Sequence, residues 1–325
     1  MGGDSLVVQT LRSVLAASTP LVFAGIGETL TEKAGIINLS LDGSILLAAM
    51  AGFAVASLSG SVVLGIVLAM LVGAAVALLV AYGSIALRQD QVAIGFVLTL
   101  LCADLSSFFG NPYVHKPGPS VPHWPVPGLA DLPIIGPILF DQNILVYLSY
   151  GVILLSLVWL SRTRPGLELR AIGERPEAAY ARGVDVVRLR YLYALVGGSL
   201  VGLAGATYSL SVKLGWSHRH TAGIGWIALA IVIFGGWGPV RVALGAYLFG
   251  ALKSLGSILQ PVYPNVPTQV FQAAPFALMI VALLLARGEI SQPLVDRLPP
   301  SLRRVMAPAL RNAPPTALGK PFEPN

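Results

Sequence analysis

Two ionisable residues, Asp104 and Lys253, stand inside stretches that are otherwise apolar. A charge at membrane depth is costly and pairs with another group or lines a pathway. Each stands twelve residues after the start of its stretch, at 92 and 241. That is about 18 Å along a helix rising 1.5 Å per residue. Equal depth makes an ion pair between them the expected chemistry. The alternative is that Lys253 snorkels outward and Asp104 bonds Ser106 or Ser107. A second polar group is the segment 25–44, GIGETLTEKAGIINLSLDGS, which holds Glu28, Asn38, Ser40 and Asp42 among four glycines. It is too polar for a continuous span. Broken helices in transporters bring polar groups to a central pathway, so Asn38 and Asp42 are candidate pathway residues. In the stretch 92–110, Phe96 offers a ring face and Thr99 a hydroxyl to the same cavity. The alternative is an ordinary turn, in which Asn38 or Ser40 caps the next helix and Asp42 favours its first turn.

The third group is the polar loop 164–190, RPGLELRAIGERPEAAYARGVDVVRLR, with seven arginines when Arg162 is counted. Pro176 suits the first turn of a helix and Glu177 its positive end. Gly183 suits a stop. A short helix over 176–183 is expected, lying along the membrane surface.

The elements that carry these groups follow from composition. Of 325 residues, 55% are hydrophobic and 11% charged, against about 25% charged in a soluble domain. With a mean hydropathy of +0.76, this excludes a cytosolic enzyme, a disordered chain and a disulfide-stapled domain. Cys102 is the single cysteine. The net charge of +6 does not signal nucleic acid, because the basic residues lie between apolar stretches. A crossing helix needs roughly 20 apolar residues. Stretches at about 10–27, 38–58, 61–83, 92–110, 143–161, 189–212, 224–239, 241–259 and 268–287 qualify. The expected fold is all-α, a polytopic bundle of about nine transmembrane helices, with eight and ten as alternatives. Arg12 before an apolar run resembles a signal peptide, but Asp4 and Pro20 favour an uncleaved first span.

Placing 162–188 inside gives sixteen basic residues within and four outside, a positive-inside bias that puts the C-terminus in the cytoplasm. Residues 1–287 then form the transmembrane domain, with an outer loop at 111–142 holding eight prolines. Residues 288–325, also with eight prolines and several basic residues, are expected to be a disordered cytoplasmic tail near anionic lipid. Gly198, Gly202 and Gly205 make a small face for close helix contact.

Other chemistry is missing. There is no phosphate-binding G-x-x-x-x-G-K-[ST] loop. The four histidines fall in outer loops, and His218 and His220 flank Arg219, so no metal site is expected. No catalytic residues are evident. The chain reads as a membrane pathway without its own energy source.

At Glu177, Ala178, Ala179 and Gly183 the loop resembles the EAA-type loop of ABC-importer permeases. The chain is similar to permeases of the branched-chain amino acid, ribose and nucleoside importers, most of all the nucleoside type. The stretches 27–44, 167–206 and 223–255 carry the likeness, which covers roughly 10–287. Asp42 stands where glutamate is usual, and Lys253 where an acid is commoner. The resemblance implies that Glu177, Ala178, Ala179 and Gly183 contact a cytoplasmic ATPase. It implies a second permease subunit, alike or different, an extracytoplasmic binding protein and a place in the cell (inner) membrane. This chain would bind no cofactor, ATP and magnesium belonging to the ATPase. Nucleosides are the expected solute. Branched-chain amino acids or sugars are the alternative within the class, and an autonomous secondary transporter the alternative outside it.

Overall fold

The computed structural model describes residues 6–263, scattered positions from 265 to 280, and residues 313–322. Ten α-helices stand among the described residues: α1 Leu6–Lys33, α2 Leu41–Ser59, α3 Val62–Ile85, α4 Gln91–Gly110, α5 Ile144–Arg162, α6 Arg164–Glu174, α7 Pro176–Tyr180, α8 Val186–Thr207, α9 Ile224–Phe234 and α10 Pro239–Val262. Seven are long and apolar enough to cross a membrane. The chain is therefore an all-helical, multi-pass membrane protein. Of the expected nine spans, the stretch 224–239 forms α9, whose eleven residues are too short to cross. The stretch 268–287 lies largely outside the described residues.

Capping side chains set the helix starts. Asp90 accepts from the Ala93 N–H at 2.8 Å, Asp185 from the Arg188 N–H at 3.0 Å and Asn143 from the Leu145 N–H at 3.0 Å. Each satisfies a donor that a helix leaves unpaired. Pro20 does not interrupt α1, because packed neighbours and hydroxyl side chains support such breaks in membrane helices.

α1 and α8 form the centre. α8 lies against α3, α1 and α2 through its glycines. A Cβ on Gly202 would stand 2.1 Å from the Ala69 carbonyl oxygen, and one on Gly205 2.6 Å from that of Ile45. The small face expected at Gly198, Gly202 and Gly205 thus serves backbone-to-backbone contact. Phe23, Phe53, Ile26 and Leu210 are enclosed in the core beside it. The exposed faces of α3, α4, α5 and α10 are lined with large apolar side chains such as Leu71, Leu100, Leu154 and Leu244.

Two expectations need correction. The segment 25–44 is not broken along its length. α1 continues through Gly25 and Gly27 to Lys33, and only residues 34–40 leave the helix, with Gly35 at φ +91°. The helix persists because Gly27 packs on Gly197 of α8, so its glycine allows contact rather than a break. The tail is not wholly disordered either. Residues 313–322 are seated, with Pro315 and Ala317 buried.

Candidate functional site: the buried turn, the α4 face and the arginine-rich end

The turn between α1 and α2 is enclosed and polar. The Asn38 N–H donates to Glu28 Oε1 at 3.0 Å, and Asn38 Oδ1 accepts from the Ser40 N–H at 3.1 Å and from Ser40 Oγ at 2.5 Å. The Ile37 N–H donates to Gln91 Oε1 at 2.7 Å, and Thr99 Oγ1 donates to the Leu39 carbonyl at 2.7 Å. Asn38 and Thr99 are buried. Their polar groups hold the turn together instead of facing a cavity, which corrects the expectation for both. Buried backbone groups off a helix need such partners.

Glu28 and Glu32 do not read as membrane-depth groups in the sequence, yet both are buried. They stand one helical turn apart on α1 and so share a face. Trp237 Nε1 donates to Glu32 Oε2, which ties the α9–α10 connection to α1. The pattern Glu-x-x-x-Glu within an apolar helix is the signal that points to them.

Asp42, in the first turn of α2, is partly buried. Its Oδ1 accepts from the Gly223 N–H at 2.8 Å and the Gly225 N–H at 2.9 Å. It therefore anchors the start of α9 to the start of α2. Gly225 is required there, since a Cβ would stand 2.2 Å from the Asp42 nitrogen.

The next residue, Trp226, lies with its ring centroid 6.5 Å from that of Phe96 on α4. Phe96 is 51% and Trp226 36% exposed, so the two rings present an open aromatic surface beside the Asp42 anchor. Asp104 is also exposed, two turns further along α4. It makes no ion pair with Lys253. α10 packs on α1, α9 and α5, whereas α4 packs on α2 and α3. Equal depth does not bring residues on separate helices together. Lys253 instead lies with Nζ 5.5 Å above the Tyr208 ring, a cation–π arrangement.

At the arginine-rich end, α6 starts on Thr163, whose Oγ1 accepts from the Gly166 N–H at 3.1 Å. Tyr193 OH accepts from Trp159 Nε1 and donates to the Pro165 carbonyl, both at 3.1 Å. This fixes α6 to α5 and α8. The short helix α7 spans Pro176–Tyr180 rather than 176–183, and Gly183 follows it at φ +86°. Glu177, Ala178 and Gly183 are exposed, but Ala179 is buried, packing with Leu169, Ile172 and Val186. Its small side chain serves contact within the chain, and only the other three face outward.

At the opposite end, a cavity of about 570 Å³ is lined by His115, Lys116, Lys213, Trp216 and His220 among others. His220 Nδ1–H donates to the Ser217 carbonyl at 2.8 Å, and Nε2 lies 3.3 Å from Ser209 Oγ. Burial lowers the His220 pKa to about 4, with Lys213 adding to the effect and the Ser217 bond opposing it.

Residues 10–283 match a family described as the permease component of the branched-chain amino acid transport system. A putative glucose ABC transporter permease of Haloferax volcanii is 38% identical, over 81% of this chain and 82% of its own length. A nucleoside ABC transporter permease of Lactococcus lactis is 34% identical over 89% and 97%. A guanosine ABC transporter permease of Bacillus subtilis is 30% identical over 90% and 98%. No solved structure matches the chain.

Proposed function

Because the chain belongs to the family of permease components of the branched-chain amino acid transport system, and is thus the membrane subunit of an ABC transporter, we propose that it imports nucleosides. The observation carrying this reading is the pair of nucleoside and guanosine permeases that match along nearly their whole length. The Phe96–Trp226 surface supports it, since open ring faces suit a stacked base. Asp104 supplies an acceptor for ribose hydroxyls on the same helix.

ATP binding and hydrolysis belong to a separate cytoplasmic ATPase. The arginine-rich end meets it, through Glu177, Ala178 and Gly183, in keeping with the positive-inside bias. Residues 313–322 touch that end, so the C-terminal segment shares the cytoplasmic side. The opposite cavity receives substrate from a binding protein. A second permease subunit covers the α4 face, because an exposed carboxylate at Asp104 is costly against lipid.

A second reading, glucose import, is favoured by the identity to the Haloferax relative. The two separate in a competition assay. Labelled guanosine uptake by cells expressing the transporter should be blocked by unlabelled nucleosides and not by glucose. Block by glucose alone would favour the second reading.

A further inference from the structure

Residues 316–322 touch four separate elements of the arginine-rich end. The Thr316 hydroxyl donates to Glu174 Oε2 at 2.8 Å, and the Ala317 N–H to the Gly173 carbonyl at 2.9 Å, both on the last turn of α6. The Gly319 N–H donates to the Gly35 carbonyl in the α1–α2 turn at 3.0 Å. The Lys320 carbonyl accepts from Arg190 Nη1 on α8 at 3.1 Å. The Phe322 ring meets the Tyr180 ring of α7 with centroids 5.7 Å apart and planes at 61°. The segment holds its own shape by turns from Leu318 to Pro315 and from Lys320 to Ala317, with Gly319 at φ +73°.

α7 carries the exposed residues assigned above to ATPase contact. The α1–α2 turn carries Asn38 and leads into Asp42. Within one short peptide, then, the ring contact on α7 is joined to a backbone bond on the turn that anchors the pathway helices. Arg190 makes the seat reversible. It is 3% exposed, yet Nε and Nη2 make no hydrogen bond, and among the described residues no carboxylate lies within ion-pair distance. A buried guanidinium served by one carbonyl is poorly compensated for lost hydration. Lifting the segment would let water reach it, so the seated and lifted states are close in free energy.

We propose that residues 313–322 form a coupling strap, in which Phe322, Gly319 and Arg190 are positioning residues that carry movement of α7 to the α1–α2 turn. The proposal rests on the ABC-permease reading given above.

The test uses the assembled transporter in proteoliposomes and measures solute imported per ATP hydrolysed. A loss of folded complex lowers import and hydrolysis together and leaves this ratio unchanged. Phe322→Ala, on a partly exposed side chain, should keep ATP hydrolysis and lower the ratio about fivefold, the weight of one edge-to-face ring contact. Phe322→Tyr should restore it. A chain ending at Asn312 should lower the ratio further, and Phe322→Ala decides the matter if that chain does not fold. An unchanged ratio in Phe322→Ala, or import and hydrolysis falling in proportion, would overturn the strap. If the unmodified complex imports nothing with ATP, the permease reading fails and the strap with it.

Discussion

Replacing Asp42 probes the link between the α1–α2 turn and α9. One carboxylate oxygen receives two backbone N–H groups, at 2.8 and 2.9 Å. Asp42→Ala leaves both donors without that acceptor, and each costs about 1–3 kcal/mol when buried. The expected loss is about 2–6 kcal/mol, concentrated on the first turn of α9. Asp42→Asn keeps an oxygen in place, and exchanging two charge-assisted bonds for neutral ones costs about 1–2 kcal/mol in all. Asp42→Glu adds a methylene where Gly225 already lies against the Asp42 backbone, and overpacking costs about 1–3 kcal/mol. Amide hydrogen exchange followed by mass spectrometry reads this directly. In Asp42→Ala, exchange over residues 223–227 should quicken about 30-fold or more, since every 1.4 kcal/mol is tenfold. α8 should keep its protection. Wild-type exchange rates at α9 in Asp42→Ala would refute the anchor.

Gly202→Leu drives a side chain against the Ala69 carbonyl. It should abolish the folded yield in detergent, measured by size-exclusion chromatography, whereas Leu244→Ala on an exposed face of α10 should not. His220 is held neutral in the fold, with its pKa depressed from 6.5 to about 4. A depressed base favours proton uptake on unfolding, so stability is full above pH 6.5 and falls as pH drops from 6.5 towards 4, by up to about 3 kcal/mol. Thermal melts of wild type should show this slope, and melts of His220→Gln should lose it. Phe96→Ala removes a ring face without touching the buried turn. It should weaken nucleoside binding about tenfold, one ring contact's worth, in equilibrium binding to the purified transporter, with an unaltered melting temperature.

The helices are legible in the sequence where the physics is local. Apolar stretches of crossing length mark α2, α3, α4, α5, α8 and α10, and the spacing of Gly198, Gly202 and Gly205 marks the close contact of α8. The short coupling helix is readable from Pro176 and Gly183, though α6 before it is not, since its polar surface resembles a loop. What fails depends on neighbours distant in the chain. The face of α4 that points outward cannot be read from depth along the helix, so equal depth pairs Asp104 and Lys253 wrongly. Glu28 and Glu32 resemble loop residues until Asn38 and Trp237 are seen to receive them. Ala179 carries a motif residue's identity, but its burial is set by Leu169 and Val186. The segment 313–322 has the composition of a disordered tail. Its partners, Gly35, Gly173 and Arg190, lie more than a hundred residues away, and no local rule places them together.

The central claim is that this chain forms a nucleoside pathway driven by ATP hydrolysed elsewhere. The most direct test is accumulation of labelled guanosine in proteoliposomes holding the chain, its partner permease and ATPase, with the binding protein added at the substrate side. Accumulation should require both ATP and the ATPase and be indifferent to an imposed ion gradient. Accumulation by the chain without the ATPase, driven by such a gradient, would contradict the claim.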